Sequence, residues 1–141
     1  MALAVPAVGL GFVRRSLAEG SSVGHGEGDY TPEFVAIVRR YNASGEPFRI
    51  EGICKSACTM FLGIRNVCVE RGATLMFHVG HDIAENVTGP ESRASRAAHY
   101  RYNEALRRYL LDGPWIQMLS TACREARSSN RFGYRECPPK Q

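Results

Sequence analysis

Residues Gly52 to Leu62, Gly-Ile-Cys-Lys-Ser-Ala-Cys-Thr-Met-Phe-Leu, pass directly from an alternating extended segment into an apolar block. His78 follows Ser56 by 22 residues and ends the run Thr74-Leu75-Met76-Phe77. This order predicts a strand, a sharp turn carrying a serine, a buried helix, a further strand and then a histidine. Such a chain can set a hydroxyl beside an imidazole, the geometry that a nucleophile and its base require.

The flanking segments fit an α/β layer. Residues 19 to 29, Glu-Gly-Ser-Ser-Val-Gly-His-Gly-Glu-Gly-Asp, form a glycine-rich loop. Thr31-Pro32-Glu33 then supplies an N-cap, a proline at the first helical position and an early acid. Phe34, Ile37, Val38 and Tyr41 recur at helical spacing, so a helix is predicted over about 32 to 43, ended by Gly45. Pro47 forces an extended start, and Phe48 to Ile53 alternates as one short strand. Ser56 to about Ile64 is apolar nearly all round, as expected of a helix buried on most faces.

Asn66 to Glu70 and Thr74 to Val79 read as two strands joined by the Arg71-Gly72 turn, and Gly80 to Pro90 as a loop. One long Arg-rich helix is predicted from about Glu91 to Leu111, with an apolar stripe of Ala98, Tyr102, Ala105, Leu106, Tyr109 and Leu110. Asp112-Gly113-Pro114 stops it, and Trp115 to Leu119 reads as a further short helix. The predicted organisation is an ill-defined segment over 1–23, one α/β domain over 24–127 and a polar tail over 128–141.

A chain of 141 residues, 44% of them apolar, is long enough for one ordinary core. The net charge of +4 rests on 16 arginines and two lysines, Lys55 and Lys140, and the arginines are scattered rather than gathered. Scattered charge reads as solvated faces, so no nucleic-acid partner is expected. The apolar run over the first 13 residues precedes Arg14 and Arg15 instead of following them, which does not match a signal peptide, and it is too short for a transmembrane anchor.

The five cysteines suit an exported protein with one or two disulfides. Cys123 and Cys137 bracket a polar segment and form the favoured staple, while Cys54 or Cys58 with Cys68 is a second candidate. Cys54, Cys58, Cys68, His78 and His81 also make a C-x3-C-x9-C-x9-H-x2-H series with soft ligands, but this spacing fits no tight zinc knuckle. No metal or other cofactor is therefore assigned. Asn86-Val87-Thr88 is a sequon by pattern alone.

Three groups carry candidate chemistry, each beside a plainer role. Ser56 at a helix start has free N–H groups and a helix dipole to favour a developing oxyanion, or else serves as an N-cap. His78 is a base or a satisfied structural histidine. The glycine loop brings backbone N–H donors close to a reacting oxygen, or is a surface linker. Lys55 adjoins the serine, but neighbours on an extended segment point to opposite sides, so it is not assigned as a base.

Gly-Ile-Cys-Lys-Ser-Ala-Cys-Thr-Met-Phe-Leu-Gly, followed by Val-Cys-Val-Glu-Arg-Gly-Ala-Thr-Leu-Met-Phe-His, resembles the Cys-x-Ser-Ala-Cys-Thr and Phe-His signature of bacterial exported proteins with a ClpP/crotonase-like fold. The resemblance covers about residues 24 to 80. It implies an α/β domain with a small, mostly parallel sheet flanked by helices. It further implies Ser56 as nucleophile, His78 as general base, and Ala57 N–H with Gly28 or Gly26 N–H as oxyanion hole, in a peptidase or esterase that forms an acyl-serine on a peptide or small ester substrate.

The chain departs from the family at three points, of which Lys55 beside the serine is one. Only Val5 to Val13 and then Arg14 to Glu19 precede the glycine loop, which leaves room for an incomplete first βα unit. No Asp stands in the family's motif for a triad acid, and Asp112 and Asp82 are the nearest candidates. The resemblance implies a periplasmic location, with the cytoplasm as the alternative. It also implies homo-oligomers through the helical layer, and a non-catalytic binding or assembly module is the second functional expectation.

Overall fold

The computed structural model describes residues 19–78, 80–82, 86–88, 92–99, 101–111, 124–126 and 132–140. Along them run β1 (Gly20–Ser21), α1 (Thr31–Ser44), β2 (Phe48–Ile50), β3 (Ile53–Lys55), a 3₁₀ helix (Ser56–Gly63), β4 (Val67–Val69) and β5 (Thr74–Phe77). β6 (His81–Asp82), β7 (Val87–Thr88), α2 (Arg93–His99), α3 (Glu104–Leu111) and β8 (Arg124–Ala126) follow. The architecture is mixed α/β with small parallel sheets and helices. The predicted short helix at Trp115 to Leu119 lies outside the described residues.

Two three-stranded sheets form as the chain steps between layers. β1, β2 and β4 make one sheet, all parallel, with Phe48 opposite Val67. β3 and β5 run parallel in the other, with Ile53 opposite Thr74 and Lys55 opposite Met76, and β8 joins β5 antiparallel. The predicted single strand over 48–53 is thus split. Gly52, at φ 64, turns the chain out of the first sheet, and β3 begins in the second. After the 3₁₀ helix the chain repeats the step, crossing from β4 to β5 through a turn closed by Ala73 N–H donating to the Glu70 carbonyl.

α1 forms as its sequence predicts, with small differences at its start. Tyr30 is the N-cap, without a side-chain cap, so Thr31 is the first helical residue rather than the cap. Gly45 at φ 73 ends the helix, and its N–H donates to the Tyr41 carbonyl. Phe34 and Val38 are buried, and Val35, Ile37 and Tyr41 pack beside them. They meet Phe61 of the 3₁₀ helix, whose Ala57 to Leu62 are all buried. Burial on every face is what its continuous apolar sequence requires.

The predicted long helix over 91–111 is instead two helices. Asn103 interrupts it, because its Oδ1 accepts from Leu106 N–H while its Nδ2 donates to the Phe132 carbonyl. An Asx cap at α3 thereby replaces helix continuation. Tyr102, Leu106 and Leu110 of the predicted stripe are buried in the chain's own core, whereas Ala105 is exposed. The predicted loop over 80–90 contains the antiparallel pair β6 and β7, with Asn86 at φ 51. Among the described residues, no helix is long and apolar enough to cross a membrane.

The polar C-terminal stretch packs against the first sheet. Val69 N–H donates to the Arg135 carbonyl, Cys137 N–H donates to the Val69 carbonyl, and Cys68 is disulfide-bonded to Cys137. Buried Arg49 adds ion pairs to Glu19 and Glu70, each at 3.3 Å, and donates to the Pro138 carbonyl at 2.9 Å. A guanidinium with this many acceptors meets the condition for burying a charge.

The disulfides correct the predicted pairing. Cys137 pairs with Cys68 rather than Cys123, which lies outside the described residues, and Cys54 pairs with Cys58 rather than either pairing with Cys68. The reason is geometric. The strand-to-helix turn folds Cys54 back to a Cα separation of 5.3 Å from Cys58, and the sheet edge brings Cys137 to 4.8 Å from Cys68, both within bridging range. These bonds also use up the three thiols of the Cys/His series considered as a rival zinc site.

Candidate functional site around Ser56

Ser56 stands where β3 becomes the 3₁₀ helix and has φ 52. A left-handed backbone at a non-glycine residue costs about 1 kcal/mol or more, so the surrounding structure must hold it there. It is not an N-cap: Lys55 holds that position, and no side chain caps the helix. The turn instead sets the serine at the carboxyl end of a parallel strand, partly exposed above a buried helix.

Several contacts fix this turn. Cys54 and Cys58, both fully buried, are joined across it. Thr59 Oγ1 donates to the Ser56 carbonyl at 2.7 Å, which leaves the Tyr102 hydroxyl to donate to Thr59 Oγ1. Burial pushes the Tyr102 phenol far above its ordinary range, although the Thr59 hydrogen bond opposes this, so it stays a neutral donor. The Thr59–Tyr102 link was not foreseen; a threonine three residues after a helix start signals only the local bond to the Ser56 carbonyl.

The glycine loop lies against the same turn. Lys55 N–H donates to the Gly26 carbonyl at 2.7 Å, so Gly26 sits beside β3 where a further strand would lie. Gly28 has φ 68, and a Cβ there would fall 2.5 Å from the Lys55 carbonyl oxygen and 2.9 Å from both Ala57 N and Ser56 Cβ. Only glycine allows this approach. Ala57 N–H, in the first turn, has no acceptor within the helix. Gly28 N–H already donates to the His25 carbonyl at 3.0 Å.

Of the remaining predicted residues, His78 follows β5, the strand paired with β3. The ladder between the two strands ends at Lys55 opposite Met76, so Ser56 lies one residue past its end on β3 and His78 two residues past it on β5. Leu75 and Phe77 face the core, while Thr74, Met76 and His78 alternate to the half-buried side. Among the described residues no hydrogen bond joins Ser56 to His78, and His78 makes an interaction of its own. Asp82 lies in β6, and Asp112 is outside the described residues. Lys55 Nζ is paired with Glu27 at 2.5 Å, away from a role as base.

A cavity of about 460 Å³ opens beside the loop, lined by Gly24, His25, Gly26, Gly28, Glu33 and Phe34 among others, but not by Ser56 or His78. His25, which sequence reasoning passed over, presents its ring edge-on to Phe34 and Phe61, with centroids at 5.9 and 5.8 Å. No protein-family model matches the chain, and no curated protein or solved structure matches it either.

Proposed function

We propose that this chain is a serine-hydrolase-like protein of the ClpP/crotonase type, acting on a peptide or ester carbonyl through an acyl-serine. The observation that carries this reading is the left-handed backbone of Ser56 at a strand-to-helix turn packed against Gly28. Strain of this kind is kept where it exposes a reacting side chain.

In the mechanism, the His78 imidazole takes the Ser56 proton as Oγ bonds to the carbonyl carbon, and the carbonyl electron pair moves to oxygen. Ala57 N–H and a second N–H from the glycine loop hold the oxyanion. Gly28 packs against Ser56 and Ala57 while Gly26 packs against Ile53, so Gly28 is the nearer second donor, and its N–H must leave the His25 carbonyl to serve. Collapse breaks the carbon–nitrogen or carbon–oxygen bond, and the leaving group receives the proton from imidazolium. Water, deprotonated by His78, then releases the acid and restores Ser56. The chemistry needs no cofactor.

A second reading, a non-catalytic binding or assembly module on the same fold, is favoured by the lack of a Ser56–His78 hydrogen bond among the described residues. Hydrolysis of a p-nitrophenyl ester and of a mixed peptide library separates the two. Turnover that falls at least a hundredfold in both Ser56→Ala and His78→Ala supports the hydrolase. Turnover unchanged by either substitution, or none in folded protein, supports the module.

A further inference from the structure

At the end of the 3₁₀ helix opposite Ser56, about 14 Å along its axis, a second cavity of about 510 Å³ is lined by Arg65, Arg101 and Arg135, with Gly63, Asn103 and Tyr134 among its other walls. Among the described residues no carboxylate lines it. From this arrangement we propose a binding site for a phosphate-bearing anion, independent of the serine chemistry.

The three guanidinium groups have only neutral partners among the described residues. Arg65 donates to the Asn42 carbonyl, Arg135 to Asn66 Oδ1 at 3.2 Å, and Arg101 Nη1 to the Ala97 carbonyl at 2.5 Å. Elsewhere arginines of this chain meet carboxylates, as Arg49 meets Glu19 and Glu70, and Arg71 meets Glu136. Acidic residues are thus available to the fold but are not used here.

Arg101 supplies the independent sign of a vacant partner. Its Nε is buried and has no hydrogen-bond acceptor, which is unusual for a charged donor. Burial and the nearby Arg39 charge both disfavour its protonated form. An anion held in the cavity by the guanidinium groups would offset the repulsion between Arg101 and Arg39. Gly63 makes room for the arginine stem, since a Cβ there would lie 2.7 Å from Arg101 Cβ.

Phosphate suits these walls because guanidinium forks match its oxygens in pairs, and three of them spread over a cavity this size can serve a tetrahedral dianion carrying an organic group. Tyr134 accepts from Asn103 N–H and keeps its own proton to donate, since burial raises its phenol above the ordinary range. The arginine bias of the composition, 16 against two lysines, matches this preference for planar forks.

Calorimetric titration with inorganic phosphate, and flotation with phosphatidylcholine vesicles containing or lacking phosphatidic acid, test the site on the full chain. Binding in either arm that weakens about tenfold in Arg101→Gln and in Arg135→Gln supports it, and the responding arm identifies a free or a lipid-borne phosphate. Arg135 is exposed, so its variant serves even where Arg101→Gln unfolds. Silence in both arms, or binding that Arg135→Gln and Arg65→Gln leave unchanged, overturns it.

Discussion

Replacing Gly28 by alanine tests whether the glycine loop and the serine turn are packed as one unit, and Gly24 provides the matched control. Both glycines have positive φ, 68 and 87. Alanine at either therefore loses about 1 kcal/mol to the left-handed backbone. At Gly24 nothing lies within 4 Å of the added Cβ, so that loss is the whole expected effect. At Gly28 the Cβ meets Lys55 O at 2.5 Å and Ala57 N at 2.9 Å, backbone atoms that cannot rotate away. Forced overpacking adds about 2 kcal/mol. In a domain of this size the difference is a Tm about 8 °C lower for Gly28→Ala than for Gly24→Ala. Thermal unfolding of the two variants measures it, with ester hydrolysis followed in parallel. Equal losses in the two variants would refute the packing argument, because the turn would then not bear on the loop.

Three further expectations concern the supports of this turn and of the sheet. Loop-closure entropy gives the Cys68–Cys137 bond, spanning 69 residues, about 4 kcal/mol, and the Cys54–Cys58 bond, spanning 4, about 2 kcal/mol. Urea unfolding of the paired alanine variants checks that order, and non-reducing peptide mapping checks the pairing. Thr59→Val removes both the bond to the Ser56 carbonyl and the bond from the Tyr102 hydroxyl and is expected to cost about 2 kcal/mol, more than Tyr102→Phe, which removes only the second, at about 1 kcal/mol. The reverse order by denaturant titration would contradict the two bonds assigned to Thr59. Glu51 is held below its ordinary 4.5 by hydrogen bonds first from Lys140 and then from Ser21, against the opposing effect of burial. Its contribution is therefore complete above that value in the unfolded chain and is lost as pH falls through the lowered folded value. Acidification should destabilise the wild type more than Glu51→Gln, read as Tm between about pH 6 and pH 3.

The parts of this fold that were legible in the sequence are those set by local pattern. Phe34, Ile37, Val38 and Tyr41 at helical spacing, closed by Gly45, gave α1 to within a residue at each end. The apolar block after Ser56 gave a buried helix, though its 3₁₀ form has no separate signal. What escaped depends on partners distant in sequence. Gly52 divides one alternating stretch between two sheets, and nothing in Phe48 to Ile53 names the sheet each half will join. Asn103 ends a helical pattern because Phe132 is there to bind its amide. The residues beyond Arg127 look like a solvated tail, yet Cys137, Pro138 and Lys140 meet Cys68, Arg49 and Glu51. For the candidate site, the order of Ser56 and His78 was readable, but the pairing of the strands that precede them, β3 with β5, had no signal in the sequence. The commitment of Gly28 N–H to His25 could not be read, since a turn of this kind has no sequence requirement at its acceptor.

Whether Ser56 is a nucleophile can be read in one intact-mass experiment with an alkyl fluorophosphonate on the folded chain. The proposed chemistry predicts a single phosphonyl adduct, found by peptide mapping on Ser56, that is absent from Ser56→Ala. Folded wild-type protein that gains no adduct, or that gains the same adduct when Ser56 is alanine, would contradict it.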